Sequence, residues 1–241
     1  MNRIKENLDL IHQRIEDAAL KSGRNPKEIK LLLATKTVSS ANIKVALKLG
    51  ETLIGENKVQ ELQQKSDALK EIPHQPHFIG HLQSNKINQV LKYADCIQSV
   101  DRISLAEKLH KRLLFEKRTM DIMLQVNTSN EESKFGMSPE NTLDFAKKIS
   151  QFDTLKVKGL MTIGLFSAEK EKVRECFKIL KNLQKQIIEL QLPNFQPYDL
   201  SMGMSNDLEI AIEEGATIIR VGTAIFGERI FPDSYYWNEG K

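Results

Sequence analysis

From residue 29 onward the chain alternates short apolar runs with longer amphipathic stretches, eight times over, and this alternation limits the fold more than any other feature. A strand buried on both faces reads as a near-continuous apolar run, and parallel strands need a crossover between them that is usually helical. The eight runs are IKLLLATK (29–36), TLIGEN (52–57), PHFIGH (76–81), CIQSV (96–100), DIMLQVN (121–127), VKGLMTIG (157–164), YDLSMGMS (198–205) and ATIIRVGT (216–223). Repeated βα units of this kind predict an α/β fold with a parallel sheet, and eight parallel strands close into a (β/α)8 barrel. An open doubly wound sheet would compete, but no run is followed by a Gly-rich dinucleotide fingerprint.

Helix signals fall between the runs. Ser40 precedes ANIKVALKLG, Ser138-Pro139-Glu140 precedes NTLDFAKKIS, and Gly50 and Gly215 stand where helices should stop. Residues 167–190 predict the longest crossover, with Val173, Phe177, Leu180, Leu183, Ile187 and Leu190 at helical spacing. Ile4, Leu8, Ile11 and Ile15 share that spacing, so residues 1–23 are expected to add an N-terminal helix that lies on the barrel. No linker rich in Gly, Ser or Pro divides the chain. One domain over 1–241 is expected, with 228–241 as a C-terminal tail.

Composition narrows the partners. The 35 Lys plus Arg and 32 Asp plus Glu leave a formal charge of only +3, with both signs interspersed, so nucleic acid is not implied. The apolar runs fall far below the ~20 residues that a bilayer demands, and the charged opening segment is unlike a signal or transit peptide. Two distant cysteines, Cys96 and Cys176, in apolar stretches read as reduced structural thiols, which points to the cytoplasm.

In such a barrel chemistry sits where the strands end. Strand alternation puts Leu32, Ala34 and Lys36 on one face, so an inward Lys36 stands at the mouth, where partial desolvation makes its amine a nucleophile towards an aldehyde. Asn57 ends the second run on the face of Leu53 and Gly55 and offers a neutral amide beside it. The seventh run passes through Ser201-Met202-Gly203-Met204-Ser205 into a helix starting near Asp207, where backbone N–H groups suit a phosphate and Ser205 or Asn206 suits the helix cap. In the eighth run Arg220 and Gly222 share a face. An inward arginine there needs an acidic or acceptor partner, Gly222 admits a ligand close to the backbone, and Thr223 adds a hydroxyl and an N–H. Lysine after strand one and a phosphate cup after strands seven and eight together describe a site for a phosphorylated aldehyde. Of His74, His77 and His81, only the last two share a strand face, which argues against a metal site; His81 is expected to line the pocket. Lys134, in the loop after strand five, reads as either a second pocket lysine or a solvated one, and the solvated reading is preferred.

The strings LLLATKT, GENKVQEL, HFIGHLQSNK, SKFGM, GLMTIG, LSMGMSNDLEIAI and RVGTAIFGER, in that order, resemble the pyridoxal phosphate homeostasis protein family over nearly the whole chain. That resemblance implies a barrel similar to the N-terminal domain of alanine racemase (fold type III) and a protein that binds, protects and delivers pyridoxal 5'-phosphate rather than an enzyme. It implies that Lys36 carries the cofactor as a covalent Schiff base, that Ser201, Gly222 and Thr223 form the phosphate cup, that Arg220 faces the pyridine nitrogen, and that Asn57 and His81 line the pocket. Cofactor-requiring apo-enzymes are then the expected transient acceptors. A monomer is expected, because the racemase's dimerising second domain is not matched. The alternative class is an enzyme, either an amino-acid racemase or a barrel aldolase that uses Lys36 as a Schiff base.

Overall fold

The computed structural model describes residues 2–227, so the expected tail at 228–241 lies outside the described residues. Eight parallel strands form a closed barrel in sequence order. They are β1 (Lys30–Ala34), β2 (Leu53–Glu56), β3 (Gln75–Phe78), β4 (Cys96–Val100), β5 (Met120–Gln125), β6 (Leu155–Met161), β7 (Phe195–Ser201) and β8 (Ile218–Val221). The helices are α1 (Asn2–Lys21), α2 (Ser40–Lys48), α3 (Val59–Leu69), α4 (Ile87–Tyr93), α5 (Ile103–Glu116), α6 (Thr142–Ile149), α7 (Lys170–Glu189), α8 (Leu208–Glu213) and α9 (Thr223–Phe226). No described helix is long and apolar enough to cross a membrane.

Three consecutive leucines in β1 make sense because the strand is buried on both sides. Leu31 and Leu33 face the helices as part of the large outer core, whereas Leu32 joins Leu53, Cys96, Met123, Met161 and Ile218 inside the barrel. These inner side chains plug the interior as a packed layer. Closure depends on β8 against β1, with Leu32 opposite Arg220 and Leu33 opposite Val221. Beyond Ser201 the seventh strand stops, yet its backbone stays tied to β8, since Arg220 N–H donates to Gly203 O at 3.0 Å.

The N-terminal helix forms as its spacing predicts. Leu8, Ile11, Ile15, Ala18 and Ala19 are buried, and α1 packs on α8 and α9. Polar contacts tie it to the same end of the chain: Arg14 donates to Glu209 of α8 at 2.7 Å and to Ser205 O in the turn before α8 at 2.9 Å, and Asn7 donates to Ile225 O of α9 at 2.9 Å. The extra helix therefore braces the turns that follow β7 and β8.

Four local expectations need correcting. The cap of α2 is Ser39, whose hydroxyl accepts from Asn42 N–H, and Ser40 is already helical. Leu190 ends outside α7 and is exposed, because the apolar stripe stops with the last full turn at Ile187. Asp207, not Ser205 or Asn206, stands at the N-cap position of α8, without a side-chain bond into the helix. The third strand ends at Phe78, so His77 and His81 do not share a strand face.

At Gly159 the backbones of β6 and β7 approach so closely that a Cβ would lie 2.0 Å from Asp199 O. Gly159→Ala should therefore push the two strands apart and lower stability by about 1–3 kcal/mol or more. A clear fall in the urea unfolding midpoint is expected, and an unchanged midpoint would show that the contact is slack.

Candidate functional site

The C-terminal mouth of the barrel gathers most of the residues that the sequence singled out. Lys36 lies half-buried in the turn just beyond β1. Gly222 brings the end of β8 to the same place: a Cβ there would lie 2.8 Å from Ala34 O, so the glycine is required by the approach of β8 to β1. This contact sets Thr223, the exposed first residue of α9, beside the end of β1. Asn57 follows β2, and Gly80 packs onto its carbonyl so tightly that a Cβ would sit 2.0 Å away. His81 is thereby carried to Asn57's side of the mouth, where its ring stacks on Phe135 with centroids 3.8 Å apart and its Nδ1 lies 3.9 Å from Asp101 Oδ2.

Below the mouth a hydrogen-bonded chain crosses the barrel interior. Arg220 donates to Ser201 Oγ at 2.9 Å and to Thr162 O at 2.7 Å. Ser201 Oγ in turn donates to Gln98 Oε1 at 2.7 Å, and Gln98 Nε2 lies 2.7 Å from His77 Nδ1. Every donor in this chain points the same way if His77 is neutral and accepts at Nδ1. Burial favours that state, pushing the His77 pKa down to about 4. Gln98 escaped the sequence reading, although an amide in the middle of a five-residue run that proves wholly buried was the available signal.

Burial also lowers the Arg220 pKa, to about 10, which leaves it a cation at neutral pH. Among the described residues no carboxylate comes within ion-pair distance of it; Asp207 acts on it only through its more distant charge. The acceptors it was expected to need are a hydroxyl and a carbonyl. A buried cation with no carboxylate at ion-pair distance among the described residues is costly to keep.

Ser201 thus stands behind Arg220, fully buried, with its hydroxyl both donating and accepting. The half-buried hydroxyl in the turn between β7 and α8 belongs to Ser205. Lys134 is not the solvated lysine expected: it pairs with Glu131 and donates to Gly164 O at 2.8 Å, tying the loops after β5 and β6 together. Both cysteines are buried free thiols.

A cavity of about 390 Å³ opens at the opposite end of the barrel, lined by Lys30, His77, Asp121, Lys158 and Asp199 among others. Its rim charges largely answer one another, with Lys30 3.1 Å from Asp199 and Lys158 3.8 Å from Asp121. It lies where barrels of this kind carry stability rather than chemistry.

Residues 2–230 match the family described as "Alanine racemase, N-terminal domain". A pyridoxal phosphate homeostasis protein of Aquifex aeolicus is 40% identical over 227 residues, covering 93% of this chain and 97% of its own length. The chain belongs to this family. Among solved structures, PipY of Synechococcus elongatus with PLP bound superposes with a TM-score of 0.77 at 32% identity, covering 90% of this chain and all of PipY. Alanine racemase of Clostridium difficile shares the fold, with a TM-score of 0.77 at 12% identity, and this chain covers 58% of it. The family's barrel is thus the architecture found here, and Lys36 and Arg220 occupy its mouth and its interior.

Arg220→Met removes a costly buried charge but strips Ser201 Oγ and Thr162 O of their donor at about 1–3 kcal/mol each, so if Arg220 serves function rather than stability the two effects offset and the unfolding midpoint of the apo-protein should shift little. A marked fall in the midpoint would make the guanidinium a structural group.

Proposed function

We propose that this chain binds pyridoxal 5'-phosphate in the mouth of its barrel, holds it through a Schiff base on Lys36, and keeps and delivers the cofactor rather than catalysing with it. The observation that carries the reading is Arg220: a buried, charged guanidinium with neutral acceptors behind it and, among the described residues, no carboxylate within ion-pair distance. The residues fit the group. Lys36 offers the amine, the turn of Ser205 and the Gly222-Thr223 segment offer hydroxyl and backbone donors for a phosphate, and Asn57 and His81 complete the rim. Relatives at 35–40% identity carry the name of pyridoxal phosphate homeostasis proteins, and PipY binds PLP.

The cofactor supplies, when bound, an aldehyde that condenses with amines and a pyridine ring that can accept electrons. What this chain does with the ring follows from Arg220. A guanidinium donates hydrogen bonds and does not give up its proton, so it opposes protonation of a ring nitrogen placed against it. The Ser201–Gln98–His77 chain fixes the guanidinium and supplies no carboxylate to reverse that effect. Residues that bind the ring while weakening it as an electron sink favour storage over turnover. Cofactor-requiring apo-enzymes are the natural acceptors.

Two enzymatic readings keep the same lysine. An aldolase would be colourless and trapped by borohydride together with a sugar phosphate; a racemase would turn alanine over near the ~10 s⁻¹ typical of enzymes.

Lys36→Ala should abolish the visible absorbance of the loaded protein and leave the circular dichroism unchanged. Retention of a borohydride-reducible chromophore would move the covalent role to another lysine.

Thr223→Val and Ser205→Ala should each weaken pyridoxal phosphate relative to unphosphorylated pyridoxal by about 1.5–3 kcal/mol, the worth of a hydrogen bond to a charged group. Ser201→Ala should weaken both ligands alike, since that hydroxyl acts through Arg220. A phosphate-selective loss in Ser201→Ala would instead put Ser201 in the cup.

A further inference from the structure

Behind β1, on the outer face of the barrel, lies a buried ionic cluster that the function above does not use. Glu56, the last residue of β2, is 1% exposed, and Lys65 of α3 is 9% exposed. Lys65 Nζ donates three hydrogen bonds of 2.8 Å each, to Glu56 Oε1, Glu61 Oε2 and Thr35 O. Thr35 Oγ1 donates to Glu56 Oε1 at 2.6 Å, and Thr37 N–H donates to Glu61 Oε2 at 2.7 Å. The cluster thus grips the residue before Lys36 and the residue after it.

The turn it grips is not one the chain adopts unaided. Thr37 sits at φ +65°, a left-handed conformation that is a true outlier for a β-branched residue and persists only where surrounding contacts impose it. Here the contacts are the Thr37–Glu61 bond, the Val38 N–H bond to Thr35 O at 2.9 Å, and the Thr35 N–H bond to Gly55 O at 2.9 Å. A buried ion pair is weak evidence of stabilisation, because desolvation offsets most of its attraction. Its geometry is better explained by what it holds. Glu61 and Lys65 are one helical turn apart on α3, so the helix that follows β2 reaches back over the end of β1.

We propose that Lys65, Glu56 and Glu61 act as a positioning cluster that fixes the peptide units on either side of Lys36 and so aims its side chain into the mouth. None of the three is placed in contact with the ligand. The inference rests on the reading of Lys36 as the cofactor's lysine, and its expected effect is on bond formation at Nζ rather than on ligand binding as such. Misplacing a reacting atom by about 1 Å can cost as much as a hundredfold in rate.

The test compares Lys65→Met and the milder Glu61→Gln with wild type in three measurements. Amide exchange of Thr37 in the apo-protein should quicken in both variants while exchange in β4 and β5 stays slow. The rate at which visible absorbance appears on mixing with pyridoxal phosphate should fall about tenfold or more. Affinity for pyridoxine 5'-phosphate, an alcohol that cannot condense with an amine, should change less than about twofold. Equal losses for the two ligands, or unchanged exchange at Thr37 and unchanged condensation, would overturn the proposal. Should Lys65→Met fail to fold, Glu61→Gln carries the same comparison. Failure of the underlying reading looks different: wild type would then show no Lys36-dependent chromophore, while exchange at Thr37 would still report on the cluster.

Discussion

Closure of the barrel between β8 and β1 is the contact on which the site depends. The register that pairs Leu32 with Arg220 puts one side chain into the inner apolar layer and turns the arginine into the interior above it. Two residues later, Gly222 lies against Ala34 with no room for a Cβ, so Lys36 and Thr223 are neighbours although 187 positions separate them in the sequence. An amine and a hydroxyl are thereby brought together by backbone packing alone, the pair on which the proposed cofactor site rests. The N-terminal helix secures the arrangement from outside, through Arg14 to the Ser205 turn and Asn7 to the helix after β8.

Two buried cations flank this closure, and they are held in opposite ways. Arg220, inside, meets among the described residues a hydroxyl and a carbonyl, with no carboxylate at ion-pair distance. Lys65, outside, is saturated by two carboxylates and a carbonyl, and its charge is spent on geometry. Burial raises the Glu56 pKa to about 7, against an ordinary 4.5, with Lys65 and Thr35 opposing the rise and the Glu61 charge adding to it. Because the folded value is the higher one, this carboxyl favours the folded state most at low pH, and that contribution declines as pH rises from about 4.5 to about 7. His77 works in the other direction: its folded value near 4 lies below 6.5, so its contribution is complete above 6.5 and is lost as pH falls towards 4. The two groups sit on neighbouring strands, His77 pairing with Gly55 just before Glu56, and they partly cancel each other's pH dependence.

The eight runs were legible because a parallel strand buried on both faces cannot hide its composition, and the alternation along β1 and β8 correctly turned Leu32 and Arg220 inward. Strand ends were less legible. The apolar pattern of PHFIGH runs on past Phe78, yet Gly80 must leave the strand to pass under Asn57, and so His77 and His81 part company. The extent of the seventh run was overread as well: β7 stops at Ser201, which is fully buried, and the chain needs four more residues to reach the turn at Ser205. Gln98 and the Lys65 cluster were invisible for a deeper reason. A polar side chain in a run such as CIQSV or VQELQQKSD carries no sign of which face it presents or which partners it meets: Gln98 meets Ser201 from 103 residues away, and Lys65 joins its near neighbours Glu56 and Glu61 only because all three turn towards Thr35.

The account stands on the amine at the mouth. Borohydride reduction of the protein loaded with pyridoxal phosphate, followed by peptide mapping by mass spectrometry, tests it most directly. One pyridoxyl phosphate per chain on the peptide containing Lys36 is the predicted result. A label on Lys134 or any other lysine, or a loaded protein that takes no label, would contradict it.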